Sequence, residues 1–335
     1  MKKTAWVAII VSVLLFSFLG FHQWQNQNEV KENFRIGVLL SGPERMDKIK
    51  GLKEGLQNLG YIEGMNVTYT VKDAKNNLKL MERYAHELDQ MNLDVIVAGG
   101  AIEAKFFKEN KQGKTPVFFL GVASARQLHL VENYKKPEGR MTGVENGYID
   151  LSAKRLELFQ MLMPTIQKFT IIYDKRIDVS LLSLKQVEKA AKEQNLQVNP
   201  ISVSDSNNLE ALKKMNFKKN EGLLVLPSFY LEEISPQLSQ IALQKKVPIF
   251  GVNINDVNNG FLLSYGVPFY DQGYQCASMI SRILQGQAPK DIPVENPNTV
   301  RLLVNPKTER TLDIQFSKNG SAFIERIPVA ERKTE

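Results

Sequence analysis

The charged side chains best placed to hold a small molecule are Arg176, Asp178 and Asp256, which fall in short segments directly after apolar runs in the second half of the chain. Arg126 has a similar place in the first half, and Asp174 closes the run FTIIYD. Ser41, Ser124, Ser228 and Asn253 add hydrogen-bonding groups at matching positions, beside the small residues Gly42, Ala101 and Ala123. Gly99-Gly100 stands immediately before a helical stretch, an arrangement that aims free backbone N–H groups and the positive helix end at an anion such as a carboxylate. The same pair also suits a tight strand-to-helix turn with no ligand, and Glu103 reads as a charge that complements the helix dipole. Phe229 and Tyr230 are consecutive after LLVLP, so both cannot be core; one is expected to face a cleft or a partner, where stacking on a planar ligand adds about 1 kcal/mol beyond burial.

This is binding chemistry. The three histidines, His22, His86 and His129, form no HxxxH or HxH pair, and GxSxG and GxxxxGK[ST] are both missing from the sequence. No catalytic residue, metal ligand or cofactor is therefore expected. Cys276 is the only cysteine, which removes disulfide frameworks and cysteine-rich metal sites, and its helical setting reads as a buried, small apolar thiol. The formal charge is +7 and the pI about 9.2, but Lys and Arg are scattered along helices with no arginine-rich arm. Nucleic acid is not an expected partner.

The elements that must position these residues follow from hydrophobic patterning. Strands are expected at 35–40, 66–71, 93–98, 117–120 and about 141–144, with helices near 47–58, 77–90 and 102–110 between them. A helix from 151 leads through Pro164 into a second series, with strands near 169–173, 197–202, 222–226 and 248–250. Its helices fall near 180–194, 209–216 and 236–244. Short apolar strands alternating with helices predict a doubly wound parallel sheet in an α/β fold. The pattern also restarts: GLKEGLQNLGYIEGMNVTYTV at 51–71 returns in looser form as LKQVEKAAKEQNLQVNPISV at 184–203. Each copy ends its helix at a residue that tolerates a left-handed conformation, Gly60 or Asn195, so two lobes are expected. Ligands of such sheets bind outside the carboxyl ends of the strands, where the charged segments lie.

The amino terminus has Lys2 and Lys3 before an uncharged apolar run at 5–21. Small residues are not paired at a cleavage position, since Phe18 stands third before the cut after Gly20, and no cysteine is near for lipid attachment. Residues 1–22 therefore read as a membrane anchor or signal segment, with the uncleaved anchor favoured and the lysines inside. Residues 23–33 read as a polar tether and 328–335 as a tail.

In order and spacing, RIGVLLSGP, GLKEGLQNLGYIEGMNVTYTV, LDVIVAGGAIEA, TPVFFLGVAS, MTGVENGYIDLSAKRLELFQMLMP, the stretch from KVPIFGVNINDVNNG to KDIPVENP, and VRLLVNPKT resemble one family. It is the ABC transporter substrate-binding family whose better-known members bind tryptophan, phenylalanine or tyrosine, on the type I periplasmic-binding-protein fold. The resemblance implies a clamshell with three hinge strands, near 144–148, 263–267 and 286–294. Lobe 1 would then comprise 34–146 plus 267–288, and lobe 2 would comprise 147–266 plus 289–327. It implies a cleft lined by the segments above, with Tyr265 at the hinge.

By the same resemblance, the chain is an extracytoplasmic solute-binding protein, periplasmic or at the cell surface. It would be monomeric outside the membrane, with a small polar or aromatic solute and an ABC permease as partners. The alternative is a tethered ligand sensor that regulates a partner. The chain departs from the amino-acid binders at three places. Where they usually carry Thr, Thr-Asp and Thr-Asp-Asn, it has Gly100, Ala123-Ser124 and Ser228-Phe229-Tyr230. Two carboxylates that would pair with a ligand ammonium are gone, which makes zwitterionic ligands less suited.

Overall fold

A computed structural model describes residues 33–327. The expected anchor, nearly all of the tether and the tail lie outside the described residues. Among those described, no helix is long and apolar enough to cross a membrane.

The first sheet has the order β2-β1-β3-β4-β5, built from β1 (Phe34–Leu40), β2 (Val67–Asp73), β3 (Val95–Ala98), β4 (Val117–Val122) and β5 (Met141–Glu145). The helices α1 (Met46–Asn58), α2 (Leu78–Gln90) and α3 (Ala101–Glu109) connect its strands. After α4 (Tyr148–Leu162) the scheme restarts with β6 (Lys168–Tyr173), α5 (Asp178–Glu193), β7 (Gln197–Ser202), α6 (Ser206–Lys214) and β8 (Glu221–Val225). Then come α7 (Phe229–Glu233), α8 (Ser235–Gln244), β9 (Ile249–Gly251), α9 (Ile254–Asn258) and β10 (Leu263–Gly266). The strand order β7-β6-β8-β9-β10 repeats that of the first sheet, so the fold is two doubly wound α/β lobes.

The repeat seen in the sequence is the β-α-β unit at the outer edge of each sheet. Its two helix ends take the left-handed conformation the sequence predicts, at Gly60 (φ 91°) and Asn195 (φ 55°). The rhythm then breaks. α10 (Phe269–Leu284) leaves the second sheet to pack on α1, and β11 (Arg301–Val304) returns to pair antiparallel with β10. β12 (Glu325–Arg326) closes that edge, after α11 (Pro306–Thr311) and α12 (Lys318–Ser321).

Strands such as VIVA in β3 and VFFLGV in β4 are buried along their whole length, as a parallel sheet covered on both faces requires. The contact between α1 and α10 is unusually close. A Cβ at Gly51 would overlap the Tyr270 carbonyl, one at Gly55 the Ala277 methyl, and one at Gly273 the Lys48 carbonyl. This glycine seam draws α10 over α1 and leaves Lys48 only 1% exposed.

Candidate functional site

The carboxyl ends of both sheets face a common cavity of about 190 Å³. A single water needs about 10–15 Å³ on this scale, so the space suits a small molecule rather than an ion. From the first lobe it is lined by Arg45 and Lys48 behind β1, and by Gly100, Ala101, Ile102 and Lys105 at the start of α3. Gly121, Ala123, Leu128, Asn146 and Tyr148 follow β4 and β5. The second lobe supplies Arg176, Ile177, Asp178 and Val179 after β6, then Pro227, Ser228, Phe229 and Glu232 after β8. Phe269 opens α10 on the same wall.

Local structure fixes these groups. Ser228 caps α7 by accepting from the Tyr230 N–H, which turns Phe229 into an apolar cluster with Ala123, Tyr148, Ile177 and Val179 between the lobes. Phe229 is thus the cleft aromatic of the pair. Tyr230 is half-buried, with the Arg176 guanidinium 5.0 Å from its ring centre. Gly121 has φ 73°, and a Cβ there would overlap the Gln272 side-chain oxygen, so the break in the β4 register beside the cavity requires glycine. Its carbonyl accepts from Asn146 Nδ2 at 2.6 Å.

Charged pairs span the cleft. Arg45 donates from Nε to Glu232 Oε2 at 3.0 Å and from Nη2 to Oε1 at 3.2 Å, and its Nη1 reaches Glu103 Oε1 at 3.4 Å. Burial opposes the guanidinium's charge, but Glu232 and Glu103 outweigh it and hold the pKa above the ordinary value. Lys105 reaches Asp178 at 3.1 Å, and Asn255 Nδ2 donates to the Glu44 carbonyl at 3.2 Å. The two lobes are therefore closed on each other. Lys48 donates to the carbonyls of Gly99 (2.7 Å) and Leu120 (3.0 Å). Burial, and then the nearby Arg45 charge, push its pKa down to about 7 against the pull of Glu103 and Glu232.

Of the residues singled out in the sequence, Gly100, Ala101, Ala123, Arg176, Asp178, Ser228 and Phe229 line this cavity. The others sit behind or beside it. Asp174 is fully buried, binds the Arg176 side chain at 2.8 and 2.9 Å and accepts from Ser228 Oγ at 3.1 Å, so it orients the wall. The Gly99 carbonyl anchors Lys48, and the Ser41 N–H donates to Glu103 at 2.8 Å. The Gly42 carbonyl receives the Arg45 N–H, and Ser124 Oγ receives that of Gln127. Asn253 and Asp256 form the capping box of α9 and line an adjoining cavity of about 200 Å³ with Glu44 and Glu232. Burial first raises the Asp256 pKa to about 6, against the Val252 and Asn253 N–H groups that it accepts. The Tyr265 carbonyl accepts from Arg155 Nε at 2.7 Å, and Arg126 is exposed, stacked on Tyr134.

The sequence pattern does not mark Arg45, Lys48, Tyr148, Glu232 or Phe269, all of which line the cavity. The one signal available was Glu232's place one turn beyond Ser228, an N-cap residue that marks a helix start. Glu103, read as a dipole charge, is a fully buried carboxylate that ties Ser41 to Arg45.

The tyrosine-binding protein of Clostridioides difficile (strain R20291) is 24% identical over 293 residues, 87% of this chain and 84% of that protein. The solved structure of a conserved domain protein from Vibrio cholerae O1 biovar eltor has a TM-score of 0.79 at 20% identity and covers 88% of this chain and 99% of its own. The ABC domain in complex with L-Trp from Streptococcus pneumonia has a TM-score of 0.75 at 20% identity and covers 88% and 100%. These likenesses establish the periplasmic-binding-protein fold. The sequence profile of the ABC transporter substrate binding proteins matches residues 33–323, and the chain belongs to that family.

Proposed function

We propose that this substrate-binding protein captures a small, largely aromatic solute in the cleft between its lobes and hands it to an ABC permease. The carrying observation is the cavity itself, set between the carboxyl ends of both sheets and walled by Phe229, Phe269 and Tyr148. An aromatic occupant also accords with the tyrosine-binding relative and with the L-Trp complex of similar fold. The protein does no chemistry on its solute; closure of the lobes by hinge motion is its work. Residues 5–21 hold it on the outer face of the cytoplasmic membrane.

A thermal-shift screen of the purified full chain against amino acids, aromatic acids and small polar metabolites tests the cleft. A solute at a hundred times its dissociation constant is expected to add about 2.7 kcal/mol of stability. Stabilisation by no compound would overturn solute binding. Recovery of mature protein beginning after Gly20 would overturn the anchor.

A further inference from the structure

Six charged side chains line the cavity, and five have an opposite charge in contact. Arg45 has Glu232 and Glu103, Lys105 and Asp178 have each other, and Arg176 has Asp174. Lys48 is the exception: none of the ion pairs among the described residues includes it, although it is 1% exposed. An ammonium has three N–H donors. Two are spent on the Gly99 and Leu120 carbonyls, and no third hydrogen bond from Nζ is made among the described residues; the one orphaned acceptor beside it, Gln272 Oε1, is neutral and brings no counter-charge. Beside Nζ lies the Phe269 ring, 5.1 Å to its centre. A buried cation with no counter-ion is costly, and a carboxylate in the cavity supplies what the wall lacks.

We propose that Lys48 receives the anionic group of the solute, and that the solute is an aromatic monocarboxylate without a charged amine. This rests on the cleft reading above and sharpens it. The carboxyl group would lie against Lys48 where α3 begins, and the first N–H groups of that helix favour the same charge. The ring would lie toward Phe229 and Phe269.

The carboxylates account for the missing amine. Both oxygens of Glu232 are held by the Arg45 fork, and Asp178, whose Oδ2 meets Lys105, is so exposed that water competes for it and it offers an ammonium little. Glu103 has an unpartnered oxygen, but it stands behind Gly100 and Arg45 and is not part of the cavity lining. A ligand ammonium at Glu232 would compete with the Arg45 fork that already meets both oxygens, weakening the pairing of a largely buried guanidinium. An α-carboxylate needs no such exchange.

Titration calorimetry on the full chain tests this with a matched series: 3-phenylpropanoate, its amide, phenylalanine and 3-phenylpropylamine, with the indole analogues of each in parallel. The expected result is that an acid binds at least tenfold more tightly than its amide, its amino acid and its amine. In Lys48→Met, and separately in Lys48→Gln, the preference of acid over amide should vanish while circular dichroism stays unchanged. The amide binding as well as the acid, or the amino acid binding more tightly, overturns the proposal and leaves the cleft reading intact. Binding by no member of the series also overturns it, and the wider thermal-shift screen then decides separately on the cleft. If both variants misfold, the wild-type series alone decides.

Discussion

Lys48 and Arg155 are the two buried cations among the described residues, and neither has a carboxylate in contact. Both brace the main chain. Arg155 donates to the Tyr265 carbonyl at 2.7 Å, the Tyr148 carbonyl at 3.2 Å and Ser152 Oγ at 3.0 Å, with its guanidinium 5.2 Å from the Tyr148 ring centre. It thereby ties α4 to β10, near two of the places where the chain passes between the sheets. Lys48 ties α1 to the ends of β3 and β4; each cation keeps an unused donor, Arg155 at Nη2, but only Lys48 stands in the cavity wall. Burial lowers both pKa values, to about 10 for Arg155 and about 7 for Lys48. At neutral pH the sealed cation keeps its charge, whereas the open one is balanced between two states. A buried charge is thus structural when protein atoms enclose it and available for binding when a cavity reaches it.

Truncating the sealed cation should have the largest effect. Arg155→Ala removes three hydrogen bonds and leaves buried carbonyls and a cavity, so stability should fall by about 3–4 kcal/mol in urea unfolding. A loss below about 1 kcal/mol would remove Arg155 from the structural side of the comparison.

Lys48→Met should act in the opposite direction, raising the stability of the ligand-free protein by about 2 kcal/mol at pH 6, because a buried charge without a partner is replaced by an apolar chain. Lysine ordinarily titrates near 10.5, and Lys48 at about 7 in the fold. Between those values the unfolded wild type binds a proton that the native state does not, so wild-type stability from this group rises with pH. The variant's advantage should therefore be full below pH 7 and shrink toward pH 10 in paired thermal melts. Destabilisation at pH 6 would make Lys48 a brace like Arg155.

The sequence conveyed the scaffold far better than this distinction. Strand runs such as VFFLGV, and the left-handed ends at Gly60 and Asn195, are local signals whose meaning does not depend on distant residues. Lys48 is the reverse case: it sits near Lys50 and Lys53 on an amphipathic helix and reads as solvated. Its burial comes from α10, more than two hundred residues away in sequence and drawn close by Gly51, Gly55 and Gly273. Glu232 leaves no periodic mark in the sequence, because α7 has only five residues, too few for such a pattern. Phe229 was legible, since two adjacent aromatics after a buried strand cannot both enter the core.

Glu232→Gln carries the comparison to a paired cation. Arg45 would keep Glu103 but meet only a neutral amide across the cleft. The closed arrangement should lose about 1.4 kcal/mol, roughly tenfold in the balance between closed and open lobes. Small-angle scattering should then report a larger radius of gyration for ligand-free protein. An unchanged radius would mean that the apolar cluster around Phe229 and Val179, rather than the Arg45 fork, holds the lobes together.

The smallest effect belongs to the other cross-cleft pair. Lys105 and Asp178 lie 3.1 Å apart, closer than Arg45 and Glu103, yet their side chains are 53% and 61% exposed. Water already solvates both charges, and ordering two mobile side chains costs about what the attraction returns, so the pair contributes roughly 0.3 kcal/mol. Lys105→Ala should change solute affinity by less than about twofold, a difference of under 0.5 kcal/mol, and added salt should erase even that. A tenfold loss in calorimetry would show that Lys105 is drawn inward to the solute's acid group. Lys48 would then share its task, and enclosure alone would no longer separate the cations that bind from those that brace.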